Sequence, residues 1–99
     1  MTLAEFQSKI AAIYGERDSQ RPVAVNFAWL VEELGELSRA LRKGDHAELV
    51  LEFGDLLAWT ATLASQVGVE LEESARRYAD GCPKCGNVPC TCPQRGEEG

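Results

Sequence analysis

The sequence predicts an all-α, four-helix, bundle-like fold with a short cysteine-rich appendage near its C-terminal end. Three observations carry that expectation. Apolar residues recur at helical spacing along most of the chain, and no stretch alternates as a half-buried strand would. All four cysteines are crowded between Cys82 and Cys92. At 99 residues the chain fits one domain. A domain of that size buries a modest share of its surface, so metals or oligomerisation often supply the missing stability.

Leu3, Phe6, Ile10 and Ile13 outline a first helix, which Tyr14-Gly15 is expected to close. The run ERDSQRP over residues 16–22 is polar and charged and reads as a connection. Pro22 suits the first turn of a second helix. Its apolar stripe is Phe27, Leu30, Leu34, Leu37 and Leu41, and Lys43-Gly44 supplies a basic last turn and a stop. Asp45 is placed to cap a third helix from His46 to about Val67, ended by Gly68. A fourth starts near Glu70, continues through Tyr78 and stops at Asp80-Gly81. Residues 1–81 thus form the helical body and 82–92 the appendage, while 93–99 have the composition of disorder.

The formal net charge of −6 and the pI of about 4.7 disfavour a phosphate backbone as partner, so no nucleic acid is expected. No segment reaches the roughly 20 consecutive apolar residues of a membrane helix. The N-terminal stretch carries Glu5 and Lys9 and lacks an apolar signal core, so a cytoplasmic protein is expected. In that compartment the cysteines read as metal ligands or free thiols rather than disulfides.

The third helix carries the strongest clue. Between Leu49 and Ala64 its only charged residues are Glu52 and Asp55. A helix so apolar on nearly every side is expected inside the structure, where an unpartnered carboxylate costs several kcal/mol or more. The second helix carries Glu32, Glu33 and Glu36 within WLVEELGEL. Pairs three residues apart share a face. If the two helices pack side by side, four or five carboxylates converge, and a divalent cation would relieve their repulsion. Oxygen donors without nearby His or Cys favour Mg²⁺ or Mn²⁺. The competing reading is a solvated acidic face paired with Arg39, Arg42 and Lys43. It fits Glu32 better than Glu52 and Asp55, whose helix has no lysine or arginine to serve them. Gly35 and Gly54 interrupt the acidic pairs, through close helix approach or simple tolerance.

The pattern Glu32-Glu33-x-x-Glu36, then Glu52-x-x-Asp55, resembles the signature of the MazG-like all-α nucleoside triphosphate pyrophosphohydrolases. The surrounding FAWLVEELGELSRALRKGD and LEFGDLLAWTATLASQVGVELEE agree, and the likeness runs from about Arg17 to Cys92. The CPKCG and PCTC segments look like the tail of a subgroup of small MazG-like proteins. The resemblance implies a catalytic domain that hydrolyses the α–β phosphoanhydride of a (deoxy)nucleoside triphosphate to a monophosphate and pyrophosphate. It further implies nucleotide-pool cleaning and a homodimer or homotetramer. By position in the family motif, Glu33, Glu36, Glu52 and Asp55 become Mg²⁺ or Mn²⁺ ligands. Glu32 becomes the base for the attacking water or a ligand for a further ion.

Lys9, Arg17, Arg21, Arg39 and Lys43 are candidate phosphate contacts, against a reading as ordinary surface charge. Trp29 and Trp59 could stack on a nucleobase or pack in the core. Asn26 could read a base edge or cap a turn, and His46 reads as a surface residue of a first turn. Cys82-Pro-Lys-Cys85-Gly has the form of a zinc knuckle, and Cys90 and Cys92 complete a four-thiolate set. The Cys90-x-Cys92 spacing is tighter than usual, and disulfides or free thiols are the alternatives. Four thiolates leave no open position, so such a zinc would be structural. Two other functions fit the sequence: a phosphoribosyl-ATP pyrophosphohydrolase-like enzyme, and a non-enzymatic, zinc-stapled helical interaction domain.

Overall fold

In the computed structural model, which describes residues 1–94, Thr2 opens the first helix. Its hydroxyl accepts from the Glu5 amide at 3.0 Å, and the Glu5 carboxylate accepts from the Thr2 amide at 3.2 Å. Two otherwise orphaned backbone donors are thereby satisfied. Helix α1 spans Leu3–Asp18 and so continues past the stop expected at Gly15. The Ser19 amide bonds the Gly15 carbonyl at 2.9 Å, and the buried Asp18 carboxylate takes Arg17 and Arg21 as partners. The charged run therefore completes the last turn instead of leaving it.

Helix α2 spans Val23–Lys43, with Pro22 at its N-cap rather than inside its first turn. It ends at Gly44, whose φ of 72° is the left-handed conformation that closes a helix without a Cβ penalty. Helix α3 spans His46–Gln66, and the Asp45 carboxylate accepts from the Ala47 and Glu48 amides at 2.9 and 3.3 Å. The fourth helix, α4, is shorter than its sequence pattern, covering Leu71–Arg76 alone. Beyond it, Tyr78 and Ala79 donate to carbonyls three residues back, so the chain winds into tight turns.

The two-residue link at Gly44-Asp45 folds α2 back along α3, as short helix connections do. Helix α1 lies on α3, and α4 on α1. Gln7 fastens these last contacts, donating to Ser65 Oγ and the Val69 carbonyl and accepting from the Leu71 amide. The core at the crossings is small: Ile10, Ala40, Ala61 and Ala64.

The apolar stripe of α2 is divided. Leu30 and Leu37 are half-buried, whereas Phe27, Leu34 and Leu41 remain exposed. The expectation that α3 lies wholly inside holds on one side only, since Leu51 is 66% and Phe53 50% exposed. Nor do Gly35 and Gly54 serve close packing within the chain, because a Cβ at either would meet nothing within 4 Å. Among the described residues no helix is long and apolar enough to cross a membrane. The expectation of a tail without fixed structure falls mostly on residues 95–99, outside the described residues.

Candidate functional site

Alignment of α2 and α3 brings Glu33 of the first against Glu52 and Asp55 of the second. One oxygen from each lies within 4.8 Å of the others. Glu33 and Glu52 are half-buried and Asp55 is exposed, so the cluster opens to solvent on one side. Burial, followed by the charges of Asp55 and Glu52, holds the Glu33 carboxyl above the usual carboxylate range. Glu52 Oε2 is buried and has no hydrogen-bond partner. Buried polar atoms are almost always paired, so an orphaned oxygen on a carboxylate that converges with two more needs an explanation. Among the described residues, no ion pair reaches any of the three.

Glu36 is not drawn into this trio. It turns to Arg39, which donates to its Oε2 at 3.0 Å. The structure thus brings three of the four expected metal ligands together and leaves the fourth in a local ion pair. Glu32 is exposed. Successive residues on a helix diverge by about 100°, so Glu32 projects on a different bearing from Glu33.

Beside the cluster, between α1 and α3, a hollow of about 180 Å³ is lined by Tyr14, Arg17, Asp55 and Trp59 among others. Arg17 lies over the Tyr14 ring at 5.3 Å. Trp29 and Trp59 meet at 5.6 Å between centroids, tilted by 46°. The Arg21 guanidinium sits over both, at 5.4 and 5.8 Å. The indoles are not core residues: Trp29 is exposed and Trp59 half-buried.

Asn26 is fully buried. Its amide donates to the Asp18 carbonyl at 3.0 Å and to Gln66 Oε1 at 2.9 Å, and its Oδ1 accepts from Arg21 at 3.3 Å. Both amide hydrogens are committed inside the protein, where they tie the ends of α1 and α3 to the start of α2. Gln66 Nε2 completes the lock on the Arg21 carbonyl at 2.6 Å. Sequence reasoning missed Asp18 and Gln66 as the partners that fix Arg21. The only signal was the dense charge of RDSQR directly before an apolar helix.

The remaining cations lie elsewhere. Lys9 borders a shallow groove formed by α1 alone, with Ala4, Glu5, Ser8 and Ala12. Arg39 and Lys43 line a groove that adjoins the acidic cluster through Glu52 and is also lined by Glu36 and Glu48, and Lys43 is 3.8 Å from Glu48. His46, the first residue of α3, is exposed.

The four cysteine sulfurs also converge, all within 4.8 Å of one another and none in a disulfide. Backbone amides, that of Thr91 above all and then that of Asn87, lower the Cys85 thiol to about 5. Hydrogen bonding with Cys90, and then with Cys85 and Cys82, pushes Cys92 up to about 12.

The family described as the MazG nucleotide pyrophosphohydrolase domain matches residues 22–84. That span holds every carboxylate of the cluster and both tryptophans, and omits α1 and three of the four cysteines. A protein named dATP/dGTP diphosphohydrolase, from Cyanophage S-2L, is 36% identical over 75 residues, which is 76% of this chain and 68% of the relative. The architecture, all-helical among the described residues, agrees with the family match. The chain belongs to the MazG nucleotide pyrophosphohydrolase family.

Proposed function

We propose that the chain hydrolyses the α–β phosphoanhydride of nucleoside or deoxynucleoside triphosphates, releasing a monophosphate and pyrophosphate, as a house-cleaning enzyme dependent on Mg²⁺ or Mn²⁺. The orphaned, buried Glu52 Oε2 among three converging carboxylates carries the reading. An all-oxygen donor set suits a hard divalent cation. Glu33, Glu52 and Asp55 would hold it, with Glu36 as the fourth ligand in competition with its ion pair to Arg39. When bound, the ion supplies charge neutralisation for the triphosphate, polarisation at the α-phosphorus and a more acidic water.

The chain's own residues supply the rest. Glu32, exposed, adjacent to the cluster in sequence and on a different bearing from Glu33, would serve as the base for the attacking water or as a ligand for a further ion. Arg17, across the hollow from Asp55, meets phosphate oxygens. The tilted indoles of Trp29 and Trp59, capped by Arg21, offer an aromatic surface to the base. Asn26 holds Arg21 in place and does not touch substrate. The dATP and dGTP named for the cyanophage relative are therefore the first nucleotides to assay.

The exposed apolar faces of α2 and α3 support a homo-oligomer. Phe27, Leu34, Leu41, Leu51, Phe53 and Leu57 are too much apolar surface for an isolated chain to leave wet. Sedimentation should show a dimer or tetramer that Phe53→Glu disperses. For the activity itself, protein stripped with chelator and given Mg²⁺ should release pyrophosphate from at least one deoxynucleoside triphosphate. Release of orthophosphate alone, or no metal-dependent turnover with any nucleotide, would defeat the proposal.

A further inference from the structure

We propose that Cys82, Cys85, Cys90 and Cys92 form a closed tetrahedral zinc site whose work is structural, independent of the acidic centre. Distances carry the argument. Cys82 and Cys92 sulfurs stand 3.8 Å apart, as do those of Cys85 and Cys90. A disulfide would need about 2.05 Å. Four sulfurs at about 2.3 Å from a central zinc span tetrahedral edges of about 3.8 Å, so the two separations are those of a zinc thiolate cage.

The backbone around the sulfurs is arranged to receive such an ion. Gly86 takes a φ of 76°, which lets its amide reach the Cys82 carbonyl at 2.7 Å and tightens the first knuckle. The Cys82 amide bonds the Asn87 carbonyl at 3.1 Å. Two amides then point at sulfur: Thr91 to Cys85 at 3.4 Å and Cys92 to Cys90 at 3.3 Å. The second of these answers the tight Cys90-x-Cys92 spacing, since the short turn folds so that both thiolates still enter the set. Asn87 joins the two knuckles by donating to Thr91 Oγ1 at 2.7 Å.

No apolar core orders this segment. None of residues 82–92 is buried, and Val88, its one large aliphatic residue, is 81% exposed. A loop without a core needs a crosslink, and here the metal is that crosslink. Soft thiolates in tetrahedral array suit zinc. With all four positions filled by protein, no site remains for water or substrate, so the ion does no chemistry on nucleotide.

The test is metal analysis of the full-length protein purified under reducing, chelator-free conditions. Wild type should carry about one zinc per chain, Cys85→Ser and Cys92→Ser almost none, and Glu52→Gln as much as wild type. Cobalt exchange should give intense visible bands with sulfur-to-cobalt charge transfer, in wild type and Glu52→Gln but not in Cys85→Ser. Zinc content unchanged by Cys85→Ser, iron in place of zinc, or an intact mass showing two disulfides in freshly prepared protein would each overturn the site. Pyrophosphate release is measured separately, so failure of the catalytic reading leaves this one standing, and the reverse.

Discussion

The acidic cluster and the cysteine cluster satisfy the same geometric condition by opposite means. In each, ligand atoms lie within 4.8 Å of one another. The carboxylates are held there by two 21-residue helices that would pack whether or not a cation arrived, so their mutual repulsion is imposed by the scaffold. The thiols are held by an eleven-residue loop with no buried residue, whose order, on the zinc reading proposed above, would depend on the ion that binds them. The acidic cluster is open on one side, where Asp55 meets solvent. A zinc held by all four sulfurs would have no position left to offer. A site built on rigid elements can store unfavourable electrostatics for chemistry, while one built on a loop must spend its ligands on holding itself together.

Substitution at the ligands should separate the two most sharply. Glu52→Gln and Asp55→Asn should lower pyrophosphate release by at least about a hundredfold, because changes even one shell beyond a metal cost ten- to a hundredfold. Circular dichroism should show their helicity intact. Cys85→Ser should behave in the opposite way, losing order in the loop and retaining most turnover. Equal loss of activity in all three would erase the contrast between the two clusters.

The next effect concerns what fixes the substrate side of the acidic site. Asn26→Ala removes a fully buried amide and strands its partners on Asp18, Arg21 and Gln66. Leaving a buried group unsatisfied costs about 1–3 kcal/mol. For a domain of this size each kcal/mol lowers the melting temperature by about 4–8 °C. A scanning melt should record that drop. KM should rise along with it, because Arg21 keeps its ion pair to Asp18 but loses its second anchor on Asn26.

How much of this was legible in the sequence follows from the range of the forces involved. Helix ends set by local chemistry were readable: Asp45 and Gly44 terminate α3 and α2 through bonds to residues two to four positions away. The end of α1 was not, because the buried Asp18 that prolongs it depends on Asn26 and Gln66 arriving from other helices. The convergence of Glu33, Glu52 and Asp55 could be anticipated, since charge on an apolar helix is conspicuous. The turn of Glu36 toward Arg39 could not, because an i, i+3 ion pair and a metal site use the same carboxylate, and spacing alone does not rank them. Which side of α3 stays uncovered was equally invisible. An all-apolar helix looks the same whether its second face meets its own chain or another.

A subtler difference lies in how the acidic cluster titrates. Glu33 keeps its proton to a higher pH in the folded chain than its unfolded value of 4.5. Its contribution to stability is therefore fully present below that value and is lost as pH rises through the folded one. In chelator, wild type should melt progressively earlier over that window, and Glu33→Gln should lack this component of the decline. Mg²⁺ should restore the wild type at neutral pH and leave Glu33→Gln largely unmoved. Identical pH profiles for the two proteins would show that the cluster is not under electrostatic load.

The smallest expected effect bears on the uncovered face. Gly54 sits on α3 one turn from Val50 and Leu57, both exposed, and a Cβ there meets nothing within 4 Å. In an isolated chain Gly54→Ala should stabilise the helix by up to about 1 kcal/mol, through propensity alone. If a second copy packs against this face, as proposed, the added methyl intrudes on the approach of another helix, and a residue tolerated for its absence of side chain becomes an obstacle. Dilution series by sedimentation should then show Gly54→Ala dissociating at higher protein concentration than wild type. A variant that gains thermal stability while associating normally would place the second copy on a different face.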